Sequence, residues 1–229
     1  MVVQAQEGLL TDTARVLVAT AVPAERDAVA RGVREHPGID VIAVGVGPAA
    51  AAAGTATALT RAELTGRPYA LVVSAGIGGG FTAPPGALLI ADAITAADLG
   101  AETPDGFVPV TDLGFGTVTH RPPASLVRDL AAATNSAVGT VLTVSTVTGT
   151  ADRAALLARS HPGAVAEAME GFGVAEAAAA HGVPVAEIRA VSNAVGPRDR
   201  AAWRIGDALA ALTGAFGKWA PVLESWKNT

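Results

Sequence analysis

The chain has 229 residues and a mass of 22.7 kDa; half of its residues are hydrophobic, 16% are charged, and the mean hydropathy is +0.41. That is apolar, yet no run approaches the ~20 uninterrupted apolar residues a membrane helix needs; with a net charge of −5, a pI of about 5.3 and no long basic run, nucleic-acid binding is disfavoured. The absence of cysteine excludes disulfides, thiolate catalysis and cysteine zinc sites.

The length suits a single sizeable α/β domain. Residues 1–14 read as a ragged N-terminal extension and 15–229 as the domain. Because the start lacks a basic region followed by an apolar stretch, no signal peptide is expected, and the default location is the cytoplasm. No metal or cofactor is expected.

Short apolar strands then alternate with alanine-rich helices, the pattern of a central sheet flanked by helices. Arg15–Ala21 reads as a strand, and Pro23 opens a helix at the first helical position, where proline is favoured. Val41–Val44 is a second strand and Pro48–Leu64 a second helix. Tyr69–Ser74 is continuously apolar, as in a strand buried on both faces. Ala87–Ile94 and Val138–Val144 read as strands, Pro123–Ala133 and Asp152–Ser160 as helices, and Gly100–Gly116 as a long surface loop. An alanine-rich helix follows Glu170. Pro184–Val191 is the next strand, and Ala201–Trp226 a closing helix.

Two glycine segments invite comparison with nucleotide sites. Gly45-Val46-Gly47-Pro48-Ala49-Ala50 follows a strand and fits G-x-G-x-x-A, but the next strand ends in Ser74 rather than in the acid a dinucleotide site needs for ribose. Ser74–Phe81 (SAGIGGGF) has neither the dinucleotide spacing nor a Walker lysine. It reads equally as a tight turn needing positive φ or as backbone that lets a planar ligand approach Gly76 and its neighbours.

The polar residues are more telling. Glu25 lies in the first turn of its helix, where an acid can simply complement the helix dipole. Glu170 sits among Ala168, Met169, Gly171, Phe172 and Gly173, where water is scarce and a carboxylate needs partners; the adjacent hydroxyls of a sugar would supply two. Glu167, three residues earlier, reads equally as an exposed helix charge and is left out of the site. Asn193 ends a buried strand, a position that also suits a turn. Glu25, Ser74 and Asn193 all stand at strand ends, so with Glu170 they can converge on one crevice.

This set resembles the purine nucleoside phosphorylase and nucleosidase superfamily, especially its 5′-methylthioadenosine nucleosidases, over nearly all of the chain after residue 14. Gly45–Ala53 is similar to that family's glycine-opened helix, Ser74-Ala75-Gly76 to its Ser-Ala-Gly turn, Met169-Glu170 to its ribose motif, and Arg189–Asn193 to its Arg-x-x-Ser-Asp strand end. Glu25 falls where the family keeps its water-activating acid. Two departures, Asn193 for the catalytic Asp and Ala168 for the first acid of Glu-Met-Glu, are joined by Val195–Arg200 and Asp98–Glu102 in resembling the superfamily's futalosine hydrolases. The resemblance implies a three-layer α/β/α fold with a mixed sheet, a homo-oligomer, and cleavage of futalosine to hypoxanthine in an alternative menaquinone pathway.

It also implies roles. Glu170, with Met169, would hold the ribose 2′- and 3′-hydroxyls, and Glu25 would deprotonate the attacking water with help from Ser74. The NH₂ of Asn193, beside Ser192, would donate to N7 and O6 of the purine. Arg198 and Arg200 would take the anionic carboxyphenyl tail, with Trp203, Phe107 and Phe115 as walls. Three alternatives share much of this pattern: a phosphorylase of 6-oxopurine nucleosides, a methylthioadenosine-type nucleosidase, and a nucleoside-binding protein without turnover. The acid at Glu25 opposes phosphate and has no use in mere binding.

Overall fold

The computed structural model describes residues 15–226, so the extension read at residues 1–14 lies outside the described residues. The architecture follows from strand periodicity. In β1 (Val16–Thr20) alternate side chains face opposite ways, and both sets are buried. Val16 and Val18 join a core formed with α1 (Pro23–Gly32), α3 (Ala124–Thr134) and α6 (Ile205–Ser225). Leu17 and Ala19 join a second core under α2 (Pro48–Leu64) and α5 (Gly171–Ala180). A sheet covered on both faces gives the three layers expected, in a single α/β domain.

The small residues of α2 and α5 let the second layer close tightly: a Cβ on Gly173 would lie 2.0 Å from the Pro48 carbonyl oxygen. In α6 the apolar face carries Leu212, Phe216, Trp219 and Leu223, and the Trp219 indole N–H donates to Leu130 O at 2.9 Å.

The sheet is mixed. β2 (Ile39–Ala43), β1 and β3 (Leu71–Gly80) run parallel, and β3 also pairs in parallel with β10 (Val185–Ala194). β10 pairs antiparallel with β4 (Leu88–Ala96), β4 runs parallel to β8 (Ala137–Thr143), and β8 to β9 (Ala164–Ala168). β9 returns to β3 through Gly79 and Gly80, so five strands close on themselves. A short β7 (Thr119–His120) adds to β4.

One feature of this pairing makes room for a site. Along one edge of β3, pairing with β1 ends at Ser74 and pairing with β9 begins at Gly79. The edge between them is split open, and the cleft described below lies there.

Four expectations need correction. Gly76–Gly80 is not a turn: the segment continues β3, and none of its glycines has positive φ. Gly100–Gly116 is not wholly a loop, since β5 (Gly100–Thr103) and β6 (Gly106–Pro109) form a hairpin around Pro104-Asp105. Ala164–Ala168 is a strand that its alanines disguised, because alanine favours helix over sheet. Glu167 is therefore not an exposed helix charge. It lies on β9 and is buried.

Candidate active site

A cleft of about 600 Å³ opens at the split of β3. It is lined by Glu25, Met169, Glu170, Ser192, Asn193 and Arg200 among the residues the sequence singled out, together with Glu167, Thr148, Gly79 and Trp203. Ser74, Gly76 and Arg198 are not among its lining residues.

Glu25 is held by the geometry of the split edge. Its Oε2 accepts from the backbone N–H groups of Ala21 (2.9 Å) and Val22 (3.3 Å), reaching back over the start of α1 like the acidic half of a capping box. Its Oε1 accepts from Ile77 N–H (2.9 Å), a β3 amide within the gap between β1 and β9. The carboxylate is 4% exposed. Burial, the largest influence, raises its pKa above 4.5, and nearby Glu170 adds to the rise; the Ile77 and Ala21 amides and Arg189 offset part of it.

Glu170 stands at the N-cap position of α5 without capping it through its side chain, and its Oε1 accepts from Gly47 N–H (3.2 Å) at the start of α2. Gly47 has φ of 87°, a conformation glycine adopts without penalty, and that geometry is what turns its amide toward the carboxylate. One amide of the segment that suggested a dinucleotide motif is thus directed at a side chain of the protein itself.

Beneath these acids lies a charged layer that the sequence reading used only as a motif. Arg189, 1% exposed, donates from Nε to Glu187 Oε1 (2.9 Å), from Nη2 to Ser74 Oγ (2.9 Å) and from Nη1 to Glu170 Oε2 (3.5 Å). Ser74 is fully buried and spends its hydroxyl oxygen on Arg189. Gly76 is required for space: a Cβ there would come within 2.6 Å of Glu25 Oε1 and 2.7 Å of Arg189 Nη1. Burial alone would lower the Arg189 pKa, but Glu187, Glu170 and Glu25 together leave it above its usual value.

Glu187 is fully buried, and its Oε2 has no hydrogen-bond partner among the described residues. Desolvation raises its pKa, against the pull of Arg189. The signal that could have revealed this layer was Glu187 and Arg189 two residues apart in an apolar strand, hence on one face.

Asn193 owes its position to a β-bulge at Ser192, which sets Asn193 rather than Ser192 level with Gly79. The Ala194 carbonyl can only accept, so the amide nitrogen of Asn193 faces it, at 2.8 Å. Oδ1 then faces Ser192 Oγ at 2.7 Å and accepts its proton. Ser192 thereby fixes the amide so that its remaining N–H is available in the cleft.

At the rim, Arg200 and Trp203 line the cleft, while Arg198 and Arg200 each approach the Trp203 ring to 5.7 Å from its centroid. Phe107 lines a different cavity and Phe115 is largely exposed, so this chain does not bring either to the cleft.

A mixed, partly closed sheet with two carboxylates and an amide at its split edge defines a class, and the family comparison agrees: residues 33–216 match the phosphorylase superfamily. The chain belongs to that superfamily, and within it to the futalosine hydrolase family. A futalosine hydrolase of Streptomyces coelicolor is 72% identical, covering 93% of this chain and 97% of that protein. One of Acidothermus cellulolyticus is 47% identical, covering 87% and 88%. Among solved structures, the native futalosine hydrolase of Helicobacter pylori shares the fold at a TM-score of 0.69 and 16% identity, covering 92% of this chain and 97% of that one. A methylthioadenosine/S-adenosylhomocysteine nucleosidase of Colwellia psychrerythraea, bound to adenine, does so at 0.72 and 20%, covering 93% and 94%.

Proposed function

We propose that this protein hydrolyses the N-glycosidic bond of futalosine, releasing hypoxanthine and dehypoxanthine futalosine. The observation that carries the reading is the convergence of Glu25, Glu170 and Asn193 on one cleft. Water attacks C1′, the C1′–N9 bond breaks, and its electron pair leaves with the purine. Glu25 takes the proton from the water. Positive charge grows on the ribosyl ring in a pocket lined by Glu25 and Glu170, which with Glu187 beneath them surround the Arg189 guanidinium, a preorganised negative environment suited to it. Glu170, with Met169, holds the 2′- and 3′-hydroxyls. Through the buried contacts of Arg189, Ser74 and Gly76 support these acids from below.

Asn193 donates to the N7 and O6 side of the purine. An amide cannot surrender a proton as an acid can, so the proton on the departing base comes from water. Arg200 at the rim, backed by Arg198 and Trp203, receives the anionic tail.

No described helix is long and apolar enough to cross a membrane. The protein is proposed to act in the cytoplasm on a small-molecule nucleoside, without nucleic acid, and as a homo-oligomer. Exposed Leu99, Phe107, Leu113 and Phe115, on and beside the β5–β6 hairpin, support the last point.

The test is an assay of the purified protein on futalosine, inosine and methylthioadenosine, with and without phosphate. Hypoxanthine from futalosine at a rate indifferent to phosphate is expected. Phosphate dependence with sugar 1-phosphate products, or adenine release from methylthioadenosine as the preferred reaction, would overturn the reading.

A further inference from the structure

Glu167, Gly79 and Asn193 stand in one row across three strands, because Gly79 is the register partner of Glu167 on β9 and of Asn193 on β10. Register partners direct their side chains to the same face, and neighbouring strands lie roughly 4.8 Å apart, so the Cα atoms of Glu167 and Asn193 flank a space roughly 10 Å wide. Gly79 adds no side chain of its own to that space, which Val195 and Asn193 border closely on one side. A Cβ there would lie 3.0 Å from Val195 Cγ2 and 3.4 Å from Asn193 Nδ2. All three residues line the cleft.

The two flanks carry opposite hydrogen-bonding character. Asn193 presents an N–H. Glu167 Oε1 accepts from Thr148 N–H at 2.9 Å, and its Oε2 accepts from the Thr148 hydroxyl. A carboxylate offers about four lone-pair sites, so acceptor capacity remains after Thr148 is served. The edge of a 6-oxopurine reads acceptor at N7, acceptor at O6 and donor at N1, whereas a 6-aminopurine reads acceptor, donor, acceptor. The one free N–H of Asn193 can be shared between the first two; N1–H still needs a partner.

We propose that Glu167 is a specificity-determining residue of this cleft: it accepts the N1–H of a 6-oxopurine across the bare Gly79 floor from Asn193. The inference rests on the reading of the protein as a 6-oxopurine nucleoside hydrolase. A 6-aminopurine would instead point the N1 lone pair at a carboxylate, so the residue rejects adenine as well as accepting hypoxanthine.

The experiment compares kcat/KM for futalosine with that for its N1-methyl analogue, which keeps N7 and O6 as acceptors but has no N1–H, in the natural protein and in Glu167→Gln. In the natural protein the analogue should be about tenfold or more poorer, as expected for losing a hydrogen bond to a charged group. Glu167→Gln keeps an acceptor for Thr148 N–H but loses the charge, and the gap should shrink at least threefold. Equal kcat/KM for both substrates in the natural protein overturns the proposal without needing a variant. A loss in Glu167→Gln that is proportionate on both substrates also overturns it, leaving Glu167 only to hold Thr148. If the natural protein releases no hypoxanthine from futalosine at all, the parent reading fails and takes this one with it.

Discussion

The two ends of the cleft are built on different principles. At the proposed sugar end, Glu25, Glu170, Arg189 and Glu187 are buried, and three backbone amides fix Glu25 alone. At the proposed tail end, Arg198 and Arg200 are exposed and share one indole. Asn193, the proposed purine reader, lies between them, half-buried and locked by its neighbours Ser192 and Ala194. Charge that must act on a transition state is held rigidly in low dielectric, where it is strong and needs no reorganisation. Charge that only has to recruit an anionic group can remain in solvent, at lower strength and lower cost.

That contrast is open to attack, beginning where the effects are largest. Glu25→Gln should lower kcat about 10²–10⁴-fold with little change in KM, as measured by hypoxanthine release. Retention of full activity would remove Glu25 as the base. The same group sets a pH dependence. It must be ionised to accept a proton and its pKa is raised above 4.5, so kcat/KM should fall on acidification at a pH higher than an ordinary carboxylate would give.

Glu187→Leu strikes the buried layer without touching the cleft lining. It leaves Arg189 with the Ser74 hydroxyl and only the longer carboxylate contact, to Glu170, and should destabilise the fold by about 3–5 kcal/mol in urea denaturation. A wild-type stability would mean that the layer is dispensable. The pKa of Glu187 is raised on folding, so its contribution is fully present below about 4.5 and is lost as pH rises through the folded value. Wild-type stability should therefore carry a component that declines with rising pH, and Glu187→Leu should lack it.

Smaller effects are expected nearer the rim. In Asn193→Asp one carboxyl oxygen would face the Ala194 carbonyl that the amide nitrogen now meets at 2.8 Å. Preference for 6-oxopurine over 6-aminopurine nucleosides should drop by about 1–3 kcal/mol, read from the ratio of kcat/KM values. Unchanged selectivity would contradict the role given to Asn193. Arg200→Ala should raise KM for futalosine only several-fold, more at low salt than at high, and leave inosine unaffected because inosine has no anionic tail.

Much of this was legible along the chain. The alternation of apolar strands with alanine-rich helices marked the three layers. Glu170 stood out as an acid among small apolar neighbours, and Asn193 as an amide closing a buried strand. Glu167 was misread because Ala164–Ala168 has helical composition and only its pairing with β3 and β8 makes it a strand. The glycines of β3 read equally as a turn or as close-approach backbone for a related reason: a glycine needed for positive φ and one needed for clearance look the same in sequence. Gly76 is of the second kind, and what it clears is the path between Glu25 and Arg189.

Taken alone, then, the sequence determined which residue types could do the chemistry and which elements carried them, because periodicity and local chemistry act over a few residues. Only the tertiary structure decided that pairing along β3 changes from β1 to β9, that the gap left between them collects Glu25 and Glu170, and that Glu187 and Arg189 lie beneath. Two of those contacts, Gly47 with Glu170 and Ser74 with Arg189, join residues more than a hundred positions apart in the chain, and strand register, which no short stretch of sequence encodes, is what brings them within hydrogen-bonding distance.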